Sequence, residues 1–211
     1  RELNLGRRLH LLSSLCGCST NLRQPVEAKL GSGRGGGVMA EEGELPEDPA
    51  TQERLMELLD SHGLQYSLTE HQAVRTSEEA AAVRGVSLDS GAKAMLVKAK
   101  GKGPSKGEAY FLAVMSASRK LSWKMLKKEL GVRDVRLATP EEVWELSGCR
   151  PGAVPPFGSL FAGTTTVCDA SLQEQGDTMN FNCGLRTRSV RMTVRDYLSV
   201  EQPMMKRFCE G

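Results

Sequence analysis

Residues 76–115 read TSEEAAAVRGVSLDSGAKAMLVKAKGKGPSKGEAYFLAVM, and they decide the fold class. Thr76-Ser-Glu-Glu79 is a capping box: a Thr hydroxyl and a Glu carboxylate three residues on satisfy each other's backbone N–H groups. The alanine-rich run behind it is predicted to be a helix that stops near Gly85. Two runs of apolar residues follow, 92–99 and 109–115, each short enough and regular enough for a strand. Between them 100–107 reads KGKGPSKG, a turn-rich basic loop. One helix leading into a strand pair is the start of an interleaved α/β order.

The same alternation continues in both directions. Upstream, Asp48 with Pro49 opens a helix whose apolar side is Leu55, Met56, Leu58 and Leu59, closed by Gly63. Leu64, Tyr66 and Leu68 alternate as a strand does. Downstream, Ser122 begins a helix with Leu126 and Leu130 at i,i+4, ended by Gly131. A short strand at 135–137 precedes a second capping box, Thr139-Pro-Glu-Glu142, with Pro in its preferred place. After the Pro/Gly stretch 148–158, strands are expected at 165–168, 179–182 and 189–192, and Thr193 opens a last helix. The expected architecture is a single α/β domain over 49–211, a mixed central β-sheet surrounded by helices.

Residues 1–38 stand apart. They carry Arg1, Arg7, Arg8, Arg23, Lys29 and Arg34 against Glu2 and Glu27, and they end in the glycine run 31–37. Met39 is the first methionine. Two readings compete: a presequence of mitochondrial type, or a product of the gene model with Met39 as the true start, which is preferred. Either way, residues 1–48 are expected to be a disordered or targeting-like extension whose last part is acidic, with Glu41, Glu42, Glu44, Glu47 and Asp48.

Composition excludes several function classes. The 211 residues carry a formal net charge of +2, with 39% hydrophobic and 26% charged residues. That is an ordinary globular balance, without the strong positive bias of a DNA-packing protein; a local patch is still enough to track RNA phosphates. No run approaches the roughly 18 apolar residues of a membrane span. Cys16, Cys18, Cys149, Cys168, Cys183 and Cys209 contain no CxxC pair, so neither a zinc site nor a disulfide framework is expected. With only His10, His62 and His71 available, no Cys–His or Ser/His/Asp arrangement suggests itself.

Several residues nevertheless invite a chemical reading. Lys93 shares a strand face with Met95 and Val97. It is either a lysine that snorkels to water or a cation aimed at a phosphate or a developing oxyanion. In Gly152-Ala153-Val154-Pro155-Pro156-Phe157 the prolines fix the backbone and the glycine allows close approach; the segment is a rigid turn or a substrate loop. His71 after the first strand is a turn residue or a catalyst. Asn182 in Phe181-Asn-Cys-Gly184 closes a turn or holds a polar substrate group. Lys98, Lys100, Lys102 and Lys106, and likewise Arg186, Arg188 and Arg191, form either solvated surface or a phosphate track.

Together these stretches resemble the YbaK/ProX family of freestanding tRNA-editing proteins, relatives of the editing insertion of bacterial prolyl-tRNA synthetase. The resemblance is carried by His71-Gln-Ala-Val74 before the capping box, Arg84-Gly-Val, Gly91-Ala-Lys-Ala-Met-Leu-Val-Lys98, Ala138-Thr-Pro-Glu-Glu-Val143, Ser147-Gly-Cys, Gly152 to Phe157, Asp169 and Phe181-Asn-Cys-Gly184. It spans about 51–208. Within the family the Pro-Pro-Phe loop and Phe-Asn-Cys-Gly resemble the Ser/Thr-tRNA deacylase branch (YeaK, or ProXp-ST).

The resemblance implies an aminoacyl-tRNA deacylase that removes mischarged amino acids, of seryl or threonyl type, with no metal, no cofactor and no protein nucleophile. Lys93 is then the catalytic residue, steadying charge near the ester or binding the tRNA end. His71, Gly152, Ala153, Val154, Pro155, Pro156, Asp169 and Asn182 are expected to bind substrate. The implied partners are mischarged aminoacyl-tRNA and an aminoacyl-tRNA synthetase, not DNA or a membrane. The expected location is the cytoplasm, or the mitochondrion if 1–38 is a genuine presequence. A non-catalytic tRNA- or synthetase-binding module of the same fold is the competing reading.

Overall fold

A computed structural model describes residues 47–101 and 107–210. The extension and its charge pattern up to residue 46, His10, Cys16, Cys18, Lys102 and Lys106 lie outside the described residues.

Start and stop signals act locally, so they form as the sequence predicts. The Thr76 hydroxyl accepts from Glu79 N at 3.2 Å while the Glu79 carboxylate accepts from Thr76 N at 3.3 Å. The Thr139–Glu142 box closes in the same way, at 3.3 and 2.9 Å. Gly85 and Gly148 end these helices in the left-handed region at φ 65°, where a Cβ would cost about 1–2 kcal/mol. The Asp48 signal is displaced by one residue: Pro49 takes the cap position, and Asp48 Oδ1 accepts from Ala50 N at 2.9 Å.

In chain order the elements are α1 Ala50–Ser61, β1 Tyr66–Glu70, α2 Ser77–Arg84, β2 Ala92–Lys100, β3 Glu108–Ser116, β4 Lys120–Leu121, α3 Trp123–Glu129, β5 Asp134–Leu137, α4 Pro140–Ser147, β6 Thr164–Asp169, α5 Ser171–Glu174, β7 Thr178–Asn182, β8 Arg188–Thr193, α6 Val194–Glu201, β9 Met204–Lys206 and β10 Cys209–Glu210. The mixed central sheet has the order β5-β2-β3-β6-β9. Its β2–β3 and β2–β5 pairs are antiparallel, and its β3–β6 and β6–β9 pairs are parallel.

Helices are not its only cover. A separate three-stranded antiparallel sheet, β1-β8-β7, lies over one face, which the reading of a single sheet did not anticipate. The two sheets share the main core. Leu96, Leu112 and Val114 point from the central sheet toward Met179, Phe181, Val190 and Met192, with Leu55 and Leu59 of α1 beside them. The alternate residues Val97, Ala113, Met115 and Val167 form a second core, closed by Leu126 of α3 and Phe208. Period-2 alternation in β2 and β3 therefore feeds two cores at once, which is why both strands read as nearly continuous apolar runs.

Candidate active site

Between α2, the start of β2, the 151–154 loop and the end of β7 lies a cleft with two sides. The polar side, open to solvent, is lined by Arg75, Thr76, Ser77, Arg84, Ala117 and Asn182 among others. The apolar side is lined by Met95, Leu96, Leu137, Ala138, Pro140 and Val143. Lys93, Ala94, Gly152 and Val154 belong to both.

Lys93 stands on β2 two residues before Met95, which packs on the second core with Val97. Its ammonium donates to the carbonyl of Ala117 at 3.3 Å and to that of Arg119. Burial pushes its pKa down, partly opposed by the neighbouring Cys209 and Glu78. The two carbonyls offset part of the desolvation cost, which lets a cation stand on an apolar strand face at the cleft.

The loop reaches the cleft through two of its five candidate residues. Gly152 has φ 89°, and a Cβ there would lie 3.3 Å from the Arg75 carbonyl. Val154 lines both sides of the cleft. Ala153, Pro155 and Pro156 are buried behind them. Ala153 accepts from Gly184 N at 2.9 Å, and the Pro156 carbonyl accepts from the Tyr197 hydroxyl at 2.9 Å. Phe157 packs edge-on against Tyr197 at 5.2 Å and tilted against Phe181 at 5.8 Å. The prolines thus act as support, while Gly152 and Val154 present the backbone.

Asn182 is tied into this loop. Its Nδ2 donates to the Gly152 carbonyl at 2.7 Å, and its Oδ1 accepts from Arg84 Nη2. Arg84, in the last turn of α2, also donates through Nε to Ser189 Oγ at 2.8 Å. Burial lowers the Arg84 pKa to about 10, so the guanidinium remains charged at neutral pH. His71 bonds Ser189 Oγ through Nε2 and the Gln72 carbonyl through Nδ1 at 2.7 Å. A carbonyl only accepts, so Nδ1 carries a proton. His71 is therefore a second layer behind Arg84 and Asn182, outside the cleft lining.

Asp169 is not brought to the cleft. It is 4% exposed. Its Oδ1 accepts from Ser171 N at 2.9 Å, and its Oδ2 accepts from Phe208 N and from Cys209 N at 3.0 Å. Burial alone would raise its pKa, but the N–H donors of Phe208 and Ser171, with Cys209, outweigh it and hold the carboxyl below its ordinary value. The carboxylate clamps the C-terminal segment onto β6.

The basic clusters part company. Lys98 is held by Glu108 at 2.7 Å and Glu142 at 3.1 Å, and these bonds raise its pKa. Lys100 pairs with Glu108 and Arg188 with Glu70. Arg186 donates to the Pro151 carbonyl at 3.0 Å, while Arg191 is exposed. Cys149, Cys168, Cys183 and Cys209 are free thiols. Burial pushes Cys168, Cys183 and Cys209 up to about 12 and raises Cys149 as well, so they stay protonated and poorly nucleophilic at neutral pH.

Sequence reasoning missed Arg84, Ser189 and the Arg75-Thr-Ser77 edge. Arg84 reads as an ordinary basic residue in a last helical turn; only its contact with a strand about 100 residues away makes it part of a site. Among the described residues, no helix is long and apolar enough to cross a membrane.

Comparison with known proteins bears on the fold and the family. The model of the aminoacyl-tRNA editing domain matches residues 71–200. The Multifunctional Ser/Thr-tRNA deacylase ProXp-y of Escherichia coli strain K12 is 35% identical over 165 residues, 78% of this chain and 96% of the relative. A crystal structure of a protein proposed to be a trans-editing enzyme for prolyl tRNA synthetase superposes with TM-score 0.63 at 26% identity, covering 76% of this chain and 98% of that one. The hypothetical protein APE2540 shares the fold, with TM-score 0.65 at 24% identity over 74% of this chain and 99% of its own. The α/β fold, the match over residues 71–200 and the 35% identity over 165 residues lead to one conclusion: the chain belongs to the aminoacyl-tRNA editing domain family.

Proposed function

We propose that this protein hydrolyses the ester of mischarged aminoacyl-tRNA in trans, with seryl and threonyl esters preferred over alanyl and prolyl ones. The observation that carries the reading is the meeting of Lys93, the Gly152–Val154 backbone and the Arg84–Asn182 pair in one cleft. Family membership and the identity to a Ser/Thr-tRNA deacylase support it.

In this reading Lys93 steadies negative charge at the ester or the adjacent phosphate. The backbone of Gly152 and Val154 orients the aminoacyl group and the attacking water. The neighbouring ribose hydroxyl of the tRNA assists, so catalysis is mainly positioning. Arg84 and Asn182 carry N–H groups beyond those used on Ser189, Asn182 and Gly152, and these read the substrate hydroxyl. A site that bonds a hydroxyl leaves its own polar groups unpaired when the hydroxyl is absent, which penalises alanine more than a pure size filter does.

The test is the single-turnover rate on Ser-, Thr-, Ala- and Pro-tRNA. Asn182→Ala is expected to reduce the Ser/Ala rate ratio several-fold; an unchanged ratio with a lowered melting temperature would leave Asn182 a turn residue only. Wild-type protein that binds tRNA but cleaves none of the four esters would favour the competing reading, a tRNA- or synthetase-binding module. The protein's place is with the charged-tRNA pool in the cytoplasm, or in the mitochondrion if residues 1–38 direct it there.

The editing domain begins near residue 49, and the segment before Met39 is dispensable in this reading, because its sequence has no apolar periodicity and ends in glycines. A chain starting at Met39 is expected to match the full chain in melting temperature and turnover. A large loss of either would tie the first 38 residues to the domain.

A further inference from the structure

Beyond Arg75, Arg84 and Lys93, which line the cleft, the basic residues differ in their pairing. Some are consumed: Lys98 and Lys100 by Glu108 and Arg136 by Glu142 on the central sheet, Arg188 by Glu70 on the three-stranded sheet. A further run has no carboxylate partner among the described residues: Lys120 on β4 and Lys124, Lys127 and Lys128 on α3, all exposed. Acids stand nearby, and Asp89 lines one recess with Lys120 and Glu210. Glu129 of α3 turns to Lys206 at 3.7 Å, and Glu210 faces Lys120 across the β4–β10 ladder without closing an ion pair.

The placement of this run follows from the fold. Leu126, fully buried in the second core, fixes which side of α3 faces inward. Lys124, Lys127 and Lys128 are spaced i, i+3, i+4, so they share a neighbouring side. Trp123, 40% exposed, stands four residues before Lys127. The run begins next to Lys93, whose ammonium is bonded to the carbonyl of Arg119, the residue before Lys120. From there α3 carries its charges outward for about 10 Å at 1.5 Å per residue.

We infer that β4 and α3 form the surface that holds the tRNA body, its phosphates lying along Lys120, Lys124, Lys127 and Lys128 while its aminoacylated end enters the cleft beside Lys93. This inference rests on the deacylase reading for the direction of the chain end, but the surface is measurable without catalysis. Unpaired, exposed lysines contribute by counterion release, so each phosphate contact appears in the salt dependence of binding.

The experiment is binding of uncharged tRNA to the full chain by fluorescence anisotropy across a salt series. Lys124→Ala/Lys127→Ala/Lys128→Ala is expected to weaken binding at least about 10-fold at low salt and to reduce the slope of log K against log salt by about 2–3. The same three positions changed to Arg should keep the slope near wild type, and the melting temperatures should agree within error. Arg191→Ala/Arg195→Ala, exposed cations on β8 and α6, serves as the control. An unchanged slope in the α3 variant, or an equal fall in the control, would overturn the surface. A protein that shows the α3 effect yet cleaves no charged tRNA would keep the surface and lose the deacylase reading.

Discussion

Lys93→Ala is expected to lower single-turnover hydrolysis of a mischarged tRNA by about 100-fold, the usual cost of removing one charge-stabilising donor from a reacting site. The structure makes this a clean substitution. The ammonium's partners are the Ala117 and Arg119 carbonyls, and both belong to the connection between β3 and β4. Removing a half-buried cation from an apolar strand face also relieves a desolvation cost. The melting temperature should therefore move by only a few degrees. The opposing possibility is that Lys93 merely pins that turn, which would lower the melting temperature and leave the rate alone. Wild-type rates in folded Lys93→Ala protein would end its assignment as the catalytic group.

The second large effect falls on stability. Asp169→Ala orphans the N–H groups of Ser171, Phe208 and Cys209 in a buried site. At about 1–3 kcal/mol for a buried group left unsatisfied, a total loss of about 3 kcal/mol is expected. That corresponds to roughly 6–12 °C in melting temperature for a chain of this size. The rate constant of the protein that remains folded should change little, since the carboxylate does not line the cleft.

The pH dependence has a definite sign. The folded-state pKa of Asp169 is depressed, so its contribution is present above the unfolded value of about 3.9 and is lost as pH falls through the lower folded value. Asp169→Asn should flatten this acid limb of the stability curve. A rate that collapses in Asp169→Ala with an unaltered melting temperature would instead return Asp169 to the substrate side.

The editing-domain residues divide by the range of the interactions that define them. Both capping boxes, the glycine helix ends and the β2–β3 pair were readable because each depends on residues within a few positions or on simple alternation. The short strands β4, β9 and β10 were not, because two or three residues carry no period of their own. Their pairing depends on partners far along the chain and on the Asp169 clamp.

The site shows the same division. Lys93 and the Gly152 loop were legible because each breaks a local pattern: a cation in an apolar strand, and two prolines behind a glycine. Asp169 was placed with them by motif alone, and burial assigned its carboxylate to backbone N–H groups. Arg84 stood in one of the resembling motifs without a role of its own and became a cleft residue only through Ser189 and Asn182, 105 and 98 positions away. By itself the sequence determined the interleaved α/β order and the lysine strand, consequences of short-range hydrogen bonding and side-chain periodicity, while the family was legible only through the resemblance of several motifs in shared order. Tertiary structure alone decided which polar groups face the cleft, which lysines are neutralised and which stay open to solvent, because desolvation and ion pairing depend on neighbours in space that spacing along the chain does not encode.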